Sequence, residues 1–334
     1  MKRALYLVTA LGLLAAAGCG PRMGYIIKPV PVDERLTETV IARDRGLFVT
    51  DKIAIIDVDG LLFNQRQSSL LGSGENPVSL FVEKLDKAQA DPHVRAVVLR
   101  INSPGGGVTA SDIMHNRLRR FRAGRKVPVV AMIEDVGASG AYDVACAAEL
   151  ILAHSTSVTG SIGVLVQTVS FAGTMQKIGI DAQAVTSGPR KDMASPLKPL
   201  DKEDLAILQK MVDEYYQRFV DNVAAGRPKL TRQQVLDLAD GRVYTGEQAK
   251  ANGLVDDVGF MDDAIAAAKR LSGAKRVKVV IYHRPWGYRA NAYSTVPETP
   301  SMPQVNLLNI NVPSLLRLAE PRFMYLWTGR SSSR

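Results

Sequence analysis

Three apolar runs, residues 53–58, 96–101 and 127–133, carry almost no polar position that could face water. A strand wetted on one face alternates polar with apolar, so a strand without alternation has to be covered on both faces. Residues 78–90 and 109–121 follow with helical spacing, and residues 137–148 read as a turn into a helix rich in small residues. This alternation predicts an α/β fold with a sheet between helical layers. Short strands are expected at 150–153 and 162–166. Beyond Ser187 the pattern turns helical, with a long amphipathic helix over 201–225. Its stripe is Leu205, Leu208, Met211, Val212, Tyr215, Phe219 and Val223, and Asp201 with Asp204 can cap its start. Helices at 231–238, 245–252 and 261–271 and a strand at 277–282 complete the pattern, and no internal repeat is present.

The ends differ from the middle. The chain has 334 residues and a net charge of +9, with 46% apolar and 6% aromatic residues, ordinary values for a globular protein. Residues 1–47 and 284–334 supply +7 of that charge, so residues 48–283 are nearly neutral. That balance argues against nucleic acid as a partner, which calls for a basic patch on the folded domain. Basic ends beside an anionic membrane surface are the plainer account. Lys2 and Arg3 precede a mostly apolar run, residues 4–18, too short for the roughly 20 residues of a bilayer span. Ala16-Ala17-Gly18 before Cys19 looks like a lipobox, with Ala16 where Leu is commoner. The reading is a lipoprotein signal over 1–18, with Cys19 acylated. An ordinary cleaved signal with a chance cysteine is the other reading. Residues 19–47 then form a membrane-proximal stalk, 48–284 the folded domain, and 285–334 a Pro-rich tail with a docking segment around 315–327. The expected location is the bacterial cell envelope, with the protein exported and membrane-anchored. Cys146 is the second cysteine and reads as a small buried hydrophobe.

Three segments can carry chemistry. The strand ending at Asn102 is expected to turn through Ser103-Pro104-Gly105-Gly106-Gly107 into a helix. Glycines there let backbone N–H groups approach a phosphate, an extended peptide or an oxyanion. Gly105-x-Gly107-x-x-Ala110 fits a dinucleotide fingerprint loosely, with Glu134 as the ribose ligand, whereas no lysine follows to make a Walker loop. Gly137-Ala138-Ser139-Gly140-Ala141-Tyr142 places a serine at a helix start, where it is either an N-cap or a nucleophile beside the helix dipole. Arg190 and Lys191 are adjacent cations in a polar loop, which alone reads as a solvated surface.

Together these segments resemble the signal peptide peptidase A family, bacterial membrane-associated Ser/Lys peptidases of the ClpP/crotonase fold, with its repeated β-β-α units and C-terminal helices. The resemblance rests on Asn102–Gly106, Ser139–Tyr142, Thr159–Val164 and Lys191–Met193 in that order, with residues 241–246 and 253–256 matching further on. It covers roughly residues 50–275. It implies Ser139 as nucleophile, Lys191 as general base, Ser161 as hydrogen-bond partner of the lysine, and N–H groups of Gly105 and Gly140 as oxyanion hole. Gly106, Gly107 and Val108 would bind substrate as an added strand. A lysine can accept the serine proton only if its pKa falls from about 10.4 towards neutrality. Asp143 departs from the family, standing where a second aromatic is usual, and a lipid anchor replaces the usual membrane helix.

The resemblance also implies a homo-oligomeric ring in which Lys191 reaches Ser139 of a neighbouring copy, hydrolysis of hydrophobic peptides such as spent signal peptides, and no cofactor or metal. A histidine base has no candidate at the position ClpP-like enzymes use, which falls within residues 161–164. His93, His115, His154 and His283 all lie elsewhere. The rivals are a crotonase-type acyl-CoA enzyme using Glu134 or Asp135, a non-catalytic scaffold, and the dinucleotide enzyme.

Overall fold

A computed structural model describes residues 35–65, 68–69, 72–73, 75–284 and 322–328. The expected signal and Cys19 lie outside these residues, as does most of the tail. The order begins with β1 (Thr37–Arg43), β2 (Lys52–Leu62), a small hairpin of β3 (Ser68–Ser69) and β4 (Gly72–Ser73), and α1 (Pro77–Ala90). The middle holds β5 (Val94–Gly107), α2 (Val108–Arg125), β6 (Val129–Ala138), α3 (Gly140–Ala145), β7 (Leu150–Ala153), β8 (Val158–Gly160), β9 (Leu165–Val166) and α4 (Ala172–Lys177). Then come α5 (Lys202–Gly226), α6 (Arg232–Leu238), β10 (Val243–Thr245) and α7 (Gly246–Ala251). The last elements are β11 (Asp257–Val258), α8 (Met261–Ser272), β12 (Lys278–His283) and β13 (Phe323–Leu326).

All strands but the hairpin join one 11-stranded sheet, whose main path is β1-β12-β2-β5-β6-β7-β11. From β12 to β11 every step on that path is parallel, and β1 closes one edge antiparallel to β12. Alternate residues of the same strands enter different cores. Ala54, Ile56, Val97, Leu99, Ala131 and Ile133 pack with Phe81, Leu85, Leu118 and Phe219 on one face. Ile53, Ile55, Val98, Val130 and Met132 pack with Met261, Ala264 and Ala268 of α8 on the other. This explains the missing alternation, because both faces of the central strands are buried.

Helix starts follow local chemistry. The Asn76 side chain accepts from the N–H groups of Val78 and Ser79 ahead of α1. Asp201 accepts from Asp204 N–H, which makes Asp201 the cap of α5. Thr231 with Gln234, and Thr245 with Gln248, form capping boxes.

Three expectations need correction. The glycine run is not a turn: β5 continues through it to Gly107, because residues without side chains admit close strands on both sides. The stalk is expected to reach residue 47, yet Thr37–Arg43 is a sheet strand. A strand at 162–166 shrinks to Leu165–Val166, while Val158–Gly160, a strand not anticipated, pairs with β6. The docking segment, for which no element type was expected, contains a strand at Phe323–Leu326.

Candidate active site

Strands β6 and β8 run parallel in register, Val136 beside Val158, Gly137 beside Thr159 and Ala138 beside Gly160. The next residues are Ser139 and Ser161, so the ladder delivers two serines side by side at its end. Ser139 N–H donates to the Gly160 carbonyl at 2.8 Å, and Ser161 N–H to the Arg242 carbonyl at 2.8 Å. Both have positive φ, 55° and 50°. For residues with a Cβ this conformation costs free energy and is held by its surroundings. Both serines are buried. Ser139 occupies the N-cap position of α3, yet its side chain makes no capping hydrogen bond. The plain capping role is thereby removed, and the hydroxyl is left for other use.

Gly105 and Gly140 meet directly behind this serine. Gly105 has φ 98°, and a Cβ there would overlap the Tyr325 carbonyl oxygen and lie 2.7 Å from Gly140 N. A Cβ on Gly140 would lie 3.1 Å from Ser111 Cβ and 3.2 Å from Tyr325 Cβ. Only glycine permits this approach. Gly105 N–H donates to Ser103 Oγ at 3.1 Å, and Ser103 Oγ in turn donates to the Gly60 carbonyl at 2.6 Å. Ser103 therefore fixes the orientation of the Gly105 peptide.

The edge formed by Gly105, Gly106 and Gly107 is occupied. Strand β13 pairs antiparallel to it, with Leu326, Tyr325 and Met324 opposite those three residues in turn, and on its other side pairs with β9. Trp327 N–H extends the pairing to the Pro104 carbonyl at 2.9 Å. Val108, expected with this edge, begins α2 instead and packs in the core. Neither β13 nor the residues that receive its side chains were anticipated. The available signal was the alternation of Phe323, Tyr325 and Trp327.

The two cations of the polar loop part company. Arg190 donates to Asp204 at 2.8 Å and also pairs with Asp201 and Glu203, tying the loop to the start of α5. Lys191 is exposed and, among the described residues, its side chain has neither an ion pair nor a hydrogen bond. Within one chain the structure thus joins Ser139, Ser161, Gly105 and Gly140, while Lys191 is exposed and its side chain hydrogen-bonds to none of them.

Behind α3 lies a second polar group. Asp143 is fully buried; Asn222 donates to its Oδ1 at 2.9 Å, and Oδ2 has no hydrogen-bond partner. Burial pushes its carboxyl above the usual range, against the opposing pull of His115. Burial also drives the Cys146 thiol up to about 12. Cys146 is therefore a protonated core residue, and a thiol reagent such as DTNB at neutral pH should react with it only as fast as the protein unfolds. Rapid reaction in the folded state would contradict this. Among the described residues no cluster of metal-ligating side chains is present, and no helix is long and apolar enough to cross a membrane.

A strained serine at a strand–helix junction, with glycine N–H groups behind it and a strand-accepting edge alongside, is the layout of a serine peptidase. Comparison with known proteins agrees. Residues 122–275 match the model of peptidase family S49, a span that contains Ser139, Ser161 and Lys191. A Methanocaldococcus jannaschii protein named as a protease is 36% identical over 238 residues, 71% of this chain and 76% of the relative. An Enterococcus faecium protein named signal peptide peptidase SppA is 33% identical over 231 residues, 69% of this chain and 67% of the relative. Protease 4 of Salmonella typhi is 37% identical over 224 residues, 67% of this chain and 35% of that longer protein. The chain belongs to peptidase family S49 and is an SppA-like serine peptidase.

Proposed function

We propose that the protein is a membrane-tethered endopeptidase in which Ser139 is the nucleophile and Lys191, from a neighbouring copy, is the general base. The observation that carries this reading is the Ser139 hydroxyl itself, presented at a strained turn, unused by its helix and next to Ser161. In the proposed reaction the neutral Lys191 amine takes the Ser139 Oγ proton as Oγ bonds to the scissile carbonyl carbon. The N–H groups of Gly140 and Gly105 receive the developing oxyanion, with Ser103 yielding its hold on Gly105. Lys191 then returns the proton to the leaving amine, and water releases the acyl group by the reverse route. The role of Ser161 is to accept from or donate to the lysine amine and so orient it. Substrates are extended hydrophobic peptides, spent signal peptides among them, added as a strand to the glycine edge. Tethering rests on Cys19, as the acylated residue of an exported lipoprotein.

A fluorophosphonate probe tests the chemistry. Ser139 should label, and Lys191→Ala should abolish that labelling. The rate should rise with pH, because the amine is a base only when unprotonated. Undiminished labelling of Lys191→Ala, or a rate flat from mildly acidic to alkaline pH, would point to a different base.

A further inference from the structure

The turn that joins β1 to β2 presents two large apolar side chains to water. Leu47 is 84% and Phe48 90% exposed. Phe48 also has φ 56°, a conformation that a residue with a Cβ adopts only where its surroundings impose it. Those surroundings are fixed on both sides. Before the tip, Asp44 N–H donates to the Val277 carbonyl at 3.0 Å, while Asp44 Oδ2 accepts from Val277 N–H at 2.9 Å and from Lys269 Nζ at 2.7 Å. After it, Val49 is buried. A Cβ on Gly46 would lie 2.6 Å from Arg276 Nη1, so the guanidinium packs against the backbone of the turn itself.

Cations surround the tip. Leu47 and Phe48 share an open hollow with Arg95, Lys275 and Arg276, in which Asp51 is the one carboxylate, 4.0 Å from Arg95. Arg45, Lys275 and Arg276 are exposed and make no ion pair among the described residues. An apolar tip ringed by cations has the chemistry that suits a bilayer with anionic headgroups. Apolar side chains enter the acyl boundary, and each cation near the surface adds its own attraction. A second copy docked by two-fold symmetry would instead set the same cations against one another. The turn leads into the N-terminal end of β2, whereas Ser139 follows the C-terminal end of β6, and β2, β5 and β6 are parallel. The tip and the candidate nucleophile therefore lie at opposite edges of the sheet.

We propose that residues 45–48 are a membrane-docking loop: Leu47 and Phe48 enter the acyl boundary of an anionic bilayer while Arg45, Arg95, Lys275 and Arg276 lie among its headgroups. Docking turns the Ser139 edge of the sheet away from the lipid. This contact adds to the proposed acyl tether at Cys19 and does not depend on it.

The experiment uses the full chain with Cys19→Ser, which removes the acylation site and leaves the buried Cys146 as the one native thiol. Leu47→Cys and Phe48→Cys are each labelled with the environment-sensitive fluorophore NBD and mixed with vesicles of phosphatidylglycerol or of phosphatidylcholine. With phosphatidylglycerol, emission at both positions should rise severalfold and shift to the blue. With phosphatidylcholine it should stay near its value in buffer. A label at Asp135→Cys, exposed near the far end of β6, should change with neither lipid. Arg45→Gln and Lys275→Gln should each weaken the phosphatidylglycerol titration about fivefold. An unchanged urea midpoint shows that a variant keeps its fold, and having two adjacent label positions guards against the loss of either. Emission at 47 and 48 that ignores phosphatidylglycerol, responds equally to the two lipids, or titrates alike in the two charge variants overturns the proposal. An equal shift at position 135 overturns it too, as adsorption without a preferred face. So does a blue shift without vesicles that grows with protein concentration, which assigns the tip to a second copy.

Discussion

Ser139→Ala and Lys191→Ala are each expected to lose roughly 10³-fold or more of peptidase activity, and co-expressing the two should restore about a quarter of it. Each substitution removes one half of the proposed two-residue catalytic unit, and such units fail almost completely when either half is missing. In a ring whose sites take serine from one copy and lysine from the next, random mixing returns about one complete site in four. A site built within one chain can never be completed by mixing. The exposure of Lys191, with no side-chain partner among the described residues, favours the first arrangement. So do Phe171, Ile178, Ile180 and Val185, exposed on the segment that leads to it. The measurement is activity per total subunit in assemblies purified through two different tags. Mixed assemblies with no recovered activity would refute donation between copies.

Asp57→Ala is expected to lower the unfolding free energy by about 3–5 kcal/mol, measured as a shift in urea midpoint. Asp57 receives Lys84 Nζ at 2.8 Å and Arg100 Nε at 2.7 Å, and both cations are themselves buried. Removing the shared carboxylate would take a buried counter-charge from both cations and leave Lys84 without the partner of its 2.8 Å ion pair. Burial alone would raise the Asp57 carboxyl, but the fields and hydrogen bonds of Lys84 and Arg100 outweigh it and hold it below its ordinary value of 3.8. A carboxyl with a depressed folded pKa stabilises fully above its unfolded value and loses that contribution as pH falls through the folded one. The unaltered protein should therefore lose stability on acidification below about pH 4, and Asp57→Asn should flatten that limb. An identical acid limb in the two proteins would show that Asp57 is not its source.

Local periodicity and ordered motifs carried much of this structure. The apolar runs located β2, β5 and β6, since doubly buried strands have nothing polar to display. Asp201, Thr231 and Thr245 stand where caps are needed, and capping is a property of a few adjacent residues. The pairing of Ser139 with Ser161 was implied by family motifs rather than by spacing, because 22 residues of chain say nothing about the β6–β8 register that joins them. The glycine run misled for a physical reason. Gly105 to Gly107 look like a turn in isolation, and only the closeness of Leu62 and Tyr325 makes them a strand. The division between Arg190 and Lys191 was likewise illegible, since it depends on carboxylates at the start of α5. Tyr325 was missed because the segment was read only as a docking element, without weighing the alternation of its aromatics.

The position of β12 has consequences for how this protein is made. It lies between β1 and β2, so residue 37 finds its partner 246 positions later. Contacts so distant along the chain form slowly, after many nearer ones. During synthesis the first strand waits unpaired, and the flank of β2 that β12 will cover stays open, until the catalytic machinery has already emerged. Such unfilled backbone donors and acceptors invite wrong partners. The nascent polypeptide, more than the finished enzyme, is therefore the form of this molecule with most to gain from having that edge shielded.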